Sequence, residues 1–212
     1  MAEKNLDFDT VIDRTHTNSL KYDFAVQRGK PKDVLPLWVA DMDFQVSSYI
    51  QEALSGNVAH GIFGYSEAEG SYFEAVAGWM SRHYGWNVEE TWLVKTPGIV
   101  FALAQAVRAF TEPGDAVLLQ QPVYYPFSQV IRDNGRKIVD NTLVQGEDGR
   151  YRIDFTDFEE KIRSAHVKLF FLCNPHNPVG RVWTKEELLR LGDICERYGV
   201  IVVSDEIHAD FV

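Results

Sequence analysis

A chain of 212 residues, 45% hydrophobic and 25% charged, is long enough to bury a sizeable core and has the balance of a soluble globular protein. Its formal net charge of −10 argues against non-specific nucleic-acid or anionic-membrane binding, since either needs clustered Lys and Arg. Two cysteines, Cys173 and Cys195, give no disulfide framework and suit a reducing, cytoplasmic compartment. The segment Met1–Asp7 is polar, without the apolar stretch of a signal peptide, and no apolar run approaches the length of a membrane span.

Residues 1–46 are rich in Asp, Lys, Thr and aromatics with little periodicity, and read as an extended arm carrying a short helix near Asp9–Arg14. Within the arm, Leu35–Phe44 is apolar yet holds Asp41 and Asp43. It reads either as a loop packed near a site or, more simply from spacing, as a structural stretch with solvated acids. Residues 47–212 form the second part. A helix is expected from Ser48 to about Leu54, followed by the glycine-flanked aromatic loop Gly61–Ser66, which leaves Tyr65 presented. Phe73, Val76, Ala77 and Met80 repeat at helical spacing, and Gly85 closes that helix.

From Trp92 the pattern becomes strand, turn, helix, repeated. Trp92–Lys95 reads as a short strand, and Thr96-Pro97-Gly98 turns into a helix over Ile99–Phe110. The first backbone N–H groups there, at Gly98, Ile99 and Val100, lack intrahelical partners and form an anion site, most naturally for phosphate. A plain Pro-Gly turn fits the same letters. Ala116–Gln120 is the next strand, ending near Tyr124, which either stacks on a flat ligand or fills a loop. A helix to about Asn134, closed by Gly135, leads to strand Lys137–Leu143 and a turn at Glu147–Arg150. Thr156–Glu159 and Thr184–Glu187 both read as capping boxes. Between them, strand Val167–Cys173 runs into Asn174–Gly180, a loop stiffened by two Asn-Pro pairs, where an amide can donate to an oxyanion.

The helix from Thr184 runs to Tyr198, closes at Gly199 and returns to Val200–Val203, four β-branched residues that read as a strand buried on both faces. Strands alternating with helices in this way predict a largely parallel α/β sheet. Ligands of open α/β folds bind outside the carboxyl edge, where Asp205 and Glu206 fall. Asp205 either caps the following turn or faces a bound cation. An Asp-Glu-x-His box of nucleic-acid-dependent ATPases fits the letters Asp205–His208, but it needs an upstream phosphate loop, and Gly29-Lys30-Pro31 is not one. A metal reading of Asp205, Glu206, His208 and Asp210 has no supporting His or Cys spacing.

In order along the chain stand Phe8-Asp9 with Asp13-Arg14, Lys21-Tyr22-Asp23, Trp38–Phe44, Gly61–Ser66, Pro122-Val123-Tyr124, Asn174–Gly180 and Ser204–His208. Together they resemble the fold-type I pyridoxal 5'-phosphate (PLP) enzymes of aminotransferase class I/II, and within them the cystathionine β-lyase, or C–S lyase, branch of the MalY–PatB type. The resemblance implies a three-layer α/β/α large domain with a mostly parallel sheet, incomplete at its C-terminus, over residues 47–212. Residues 1–46 would be an arm and part of a small domain.

It further implies that Asp205 pairs with the pyridinium nitrogen, that Asn177 donates to the phenolic oxygen, and that Tyr124 stacks on the ring. Gly98, Ile99 and Val100 would hold the phosphate, and Tyr65 would reach into the partner's site of a homodimer. His208 stands where aminotransferases of this fold carry Tyr, a departure that points to C–S cleavage. The implied reaction removes the Cα proton of an amino-acid substrate, expels the thiol, and leaves an aminoacrylate that hydrolyses to pyruvate and ammonia. The family's Schiff-base lysine lies beyond Val212 in a Ser-x-x-Lys segment, so this chain is expected to be an N-terminal part, inactive alone. An aminotransferase of the same fold, or a non-catalytic regulatory protein that keeps it, are the other readings.

Overall fold

Ala116–Leu119 (β1) and Leu169–Cys173 (β5) are apolar almost throughout, a pattern that strands keep where helices cover both faces. The computed structural model, which describes residues 7–212, shows every residue of both strands buried. They lie side by side at the centre of a four-stranded sheet of order β2-β1-β5-β6, with β2 at Lys137–Asp140 and β6 at Ile201–Asp205. All three pairings are parallel, so the expected α/β sheet is present. A hairpin of Val144–Gln145 (β3) and Tyr151–Arg152 (β4) turns at Gly146–Gly149 beside it.

Alternation along β1 and β5 sends side chains to two separate cores. On one face Val117, Leu119, Leu169 and Phe171 pack with Leu103 and Val107 of Ile99–Phe110 (α3) and with Phe127 and Ile131 of Pro126–Asp133 (α4). On the other, Leu118, Phe170 and Leu172 pack with Phe158 and Ile162 of Phe155–Ala165 (α5) and Leu191 and Ile194 of Lys185–Tyr198 (α6). Helices on both faces make the three layers.

Several local expectations change. Ile201 and Val202 are each 41% exposed, so the Val200–Val203 strand is not buried on both faces. Among the described residues it is the sheet's edge, with β5 as its one neighbour. Trp92–Lys95 is not a strand: Glu90–Trp92 is a 3₁₀ turn, and the extended Leu93 has no ladder partner among the described residues. The Lys137–Leu143 strand ends at Asp140. The box at Thr184 is present, its hydroxyl accepting from Glu187 N–H at 3.2 Å while the Glu187 carboxylate accepts from Thr184 N–H at 2.8 Å. The box at Thr156 is not, because Asp154 is the cap and its Oδ1 accepts from the N–H groups of Thr156 and Asp157, both at 3.0 Å.

The chain divides into two compact units, through Glu74 and from Ala75. In the first, residues 9–14 are not helical, and Ser48–His60 (α1) runs six residues past the expected end to Gly61, whose φ of 73° closes it. Asp41 and Asp43 keep solvent contact, as the simpler reading expects, but are also ion-paired. The two arms of the Arg14 guanidinium reach them at 2.7 and 2.6 Å, and Lys21 Nζ donates to the Asp41 carbonyl at 2.8 Å. Gly70–Tyr84 (α2) spans the boundary and ends at Gly85 as expected. No helix among the described residues is long and apolar enough to cross a membrane.

Candidate active site

Parallel pairing puts the carboxyl ends of β1, β5 and β6 on one edge. The chain leaving β1 goes through α4 to β2, while that leaving β5 goes through α6 to β6 on the opposite side. Loops that diverge in this way open a crevice between β1 and β5, the place where doubly wound sheets hold ligands. The five residues 111–115 connect α3 to β1, so α3 runs antiparallel to the strand and its N-terminus faces the same edge. Gly98, Ile99 and Val100 begin that helix without any side-chain cap. A Cβ built on Gly98 would meet nothing within 4 Å, so the space over those N–H groups is open. The macrodipole and the free donors make this end attractive to an anion.

Asp205 ends β6, level with Cys173 of β5, and its carbonyl accepts from Asn174 N–H at 3.0 Å. Its side chain is 8% exposed and has one weak support, Oδ1 accepting from Ile207 N–H at 3.2 Å. Burial raises the carboxyl's pKa above its ordinary value, and that N–H and nearby His208 offset only part of the rise. No Lys or Arg among the described residues pairs with it. An ionised carboxylate in such a place is costly until a cation or strong donor meets it. Cys173 offers no competing charge, because burial pushes its thiol up to about 11.

Asn177 follows β5 in the Asn174–Gly180 loop. It is half-buried, and no described residue bonds its side-chain amide, which leaves two donors free. Tyr124 follows β1, two-fifths exposed, with its ring 5.4 Å from that of Tyr125. His208, half-buried, begins the 3₁₀ turn Ala209–Phe211. The Trp79 indole (3.2 Å) and the Tyr84 hydroxyl, both from α2, donate to Asp210 and hold that turn in place. Asp205, Asn177, Tyr124, His208 and the start of α3 are thus gathered at one edge. Tyr65 belongs to the first unit, on the loop after α1, and is fully exposed there. A hollow of about 700 Å³ lies apart from these residues, between β4 and the start of α6. Of its arginines, Arg152 and Arg181 are already paired, with Asp148 and Glu187.

Three buried polar groups at this edge, Gln120, Asn141 and His176, are not among the expected site residues. Gln120, at the end of β1, donates from its side chain to Asn141 at 2.8 Å. His176, in the middle of the Asn-Pro loop, reaches the carbonyl of Pro122 at 3.0 Å. The only sequence signal for His176 was its place between two prolines, which says nothing about which way a ring turns.

An open, doubly wound sheet with an anion-ready helix end, a buried lone carboxylate and a free amide at its carboxyl edge defines a ligand-binding α/β protein. The chain belongs to the aminotransferase class I and II family, whose model matches residues 32–212. It is 48% identical over 207 residues to cystathionine beta-lyase PatB of Bacillus subtilis (strain 168), covering 98% of this chain and 53% of that protein. Protein MalY of Escherichia coli (strain K12) is 35% identical over 207 residues, covering 97% and 53%. The solved structure of the PLP-bound C–S lyase from Staphylococcus hominis superposes with a TM-score of 0.89 at 36% identity, covering 97% of this chain and 52% of that one. The chain thus spans about half the length of the curated relatives it matches.

Proposed function

We propose that the whole protein is a PLP-dependent C–S β-lyase that cleaves cystathionine or related cysteine S-conjugates to a thiol, pyruvate and ammonia. The observation that carries this reading is Asp205, a buried carboxylate at the ligand edge with no cationic partner among the described residues. The residues present fit PLP. Asp205 would accept from the pyridinium N–H, Asn177 would donate to the phenolic oxygen, and Tyr124 would stack on the ring. The N–H groups of Gly98, Ile99 and Val100 receive the phosphate at the start of α3.

When bound, PLP supplies an electron sink for the negative charge left at the substrate Cα. Asp205 keeps the ring nitrogen protonated, and unit charges about 4 Å apart are worth about 4 kcal/mol at an effective dielectric of about 20. Its backbone, paired with β5 and accepting from Asn174 N–H, fixes the carboxylate, so little reorganisation is needed when charge develops. His208, three residues on, adds a half-buried imidazole beside it. Relatives named as lyases support the C–S chemistry over transamination.

Tyr65, fully exposed on its glycine-flanked loop, is proposed to reach the site of a second copy in a homodimer. Two unpaired, buried cysteines support a cytoplasmic location.

The test is pyruvate release from cystathionine by the whole protein reconstituted with PLP. Pyruvate and ammonia are expected, with the rate falling about a hundred- to thousand-fold in Asp205→Ala. A keto acid formed with pyridoxamine phosphate would mark an aminotransferase instead. An unchanged rate in Asp205→Ala would defeat the proposed role of that carboxylate.

A further inference from the structure

His176 is 2% exposed, and the neutral imidazole is the form that burial favours. Its Nε2 lies 3.0 Å from the Pro122 carbonyl oxygen, 54 residues away in the chain. A carbonyl only accepts, so Nε2 carries the proton and donates. Nδ1 is then a bare lone pair, and it is buried without a partner. Leaving an acceptor unpaired is costly, and a phenylalanine would fill the same space without that cost. The carbonyls of Gln120 and Cys173 also lie near the ring, but the bond that Nε2 makes to Pro122 is the one with full hydrogen-bond geometry. The ring itself has little freedom. It meets the Trp183 indole edge-on, with centroids 5.4 Å apart at 83°. Trp183 is in turn held by the Cys173 carbonyl (3.1 Å), by Asn174 Oδ1 on its backbone N–H (3.0 Å), and by the Arg181 guanidinium 4.7 Å from its ring. The His176 backbone closes its own loop, donating to the Arg181 carbonyl at 2.7 Å and accepting from Gly180 N–H at 2.9 Å.

Pro122 stands two residues before Tyr124, and His176 one before Asn177. We propose that His176 is a positioning residue that couples the two loops, with its Nε2–H···O bond to Pro122 setting the distance between the Tyr124 ring and the Asn177 amide. The coupling of the loops rests on the geometry alone; its meaning for PLP rests on the function proposed above. The ring is buried and its Nε2–H is donated to Pro122, which favours a structural part over one as acid or base.

Two substitutions separate the bond from the packing. His176→Phe keeps the ring volume and loses the donor, whereas His176→Gln places an amide N–H near the Nε2 position. Amide hydrogen exchange is measured on the 212-residue chain, and PLP binding is measured by titration of the whole protein. In His176→Phe, exchange at residues 121–125 and 174–181 is expected to rise together by about tenfold, the size of one lost buried hydrogen bond. Exchange in β2 and α5 is expected to stay within about threefold, and the dissociation constant for PLP to rise by about tenfold. His176→Gln is expected to restore most of both effects. The coupling is overturned if only one loop loosens, if the whole domain loosens equally, or if His176→Gln behaves as His176→Phe does. If exchange follows the expected pattern but the wild-type protein binds no PLP, the coupling stands and the cofactor reading falls.

Discussion

At the scale of single residues, burial makes the Asp205 carboxylate costly in the ligand-free fold. Its folded-state pKa is raised by burial, so it binds a proton in the folded state at pH values where the unfolded chain has lost one. Its contribution is fully favourable below the unfolded value of about 3.9 and is lost as pH rises through the higher folded value. Asp205→Asn removes that loss while keeping an oxygen for Ile207 N–H. The cofactor-free variant is expected to melt higher than the wild type at pH 7, by about 2–4 °C per kcal/mol recovered, and equally at pH 3. PLP affinity is expected to move the other way. A lower melting temperature at pH 7 would mean that the carboxylate is satisfied within the protein. His176 has the opposite sign: a base with a lowered pKa loses its stabilising effect as pH falls from about 6.5 through the folded value.

At the scale of elements, the helix ends show how local letters and tertiary burial divide the work. Both Asp154 and Thr156 can cap, and both precede an acid by three residues. Burial of Ile153 decides between them. It sits in the same core as Phe158, so the residues before the cap and at the fourth helical position form a hydrophobic staple around Asp154. Asp154→Ala is expected to cost about 1 kcal/mol in urea unfolding, whereas Thr156→Ala, inside the first turn, is expected to cost less than about 0.5 kcal/mol. Equal costs would restore the Thr156 cap. The edge strand shows the same division. Val200–Val203 has the composition of a central strand, but composition does not say how many neighbours a strand has, and among the described residues β6 has one.

At the scale of the whole molecule, the two units differ in what holds them. Ser19, Lys21, Ala25 and Pro36 are the buried residues of the first unit among those described, and α1 buries none. The second has two cores, one on each face of β1 and β5. Local opening follows buried apolar contact, so amides of residues 7–74 are expected to exchange at least about a hundredfold faster than those of β1 and β5. Comparable protection across both units, read by mass spectrometry, would show that the first has stability of its own.

By itself, the sequence determined the alternation of strands and helices, the loops that follow the strands and which residue types stand at the strand ends, Asp205, Asn177 and Tyr124 among them, because these depend on spacing and residue type. It also carried the family resemblance, which rests on ordered motifs spread along the chain. Only the tertiary structure decided that Asp154 caps α5, that Asp41 and Asp43 share Arg14, and that the His176 ring meets the Pro122 carbonyl 54 residues away. Each of those depends on which distant atoms a side chain meets once the chain has folded, and no local pattern of letters encodes that.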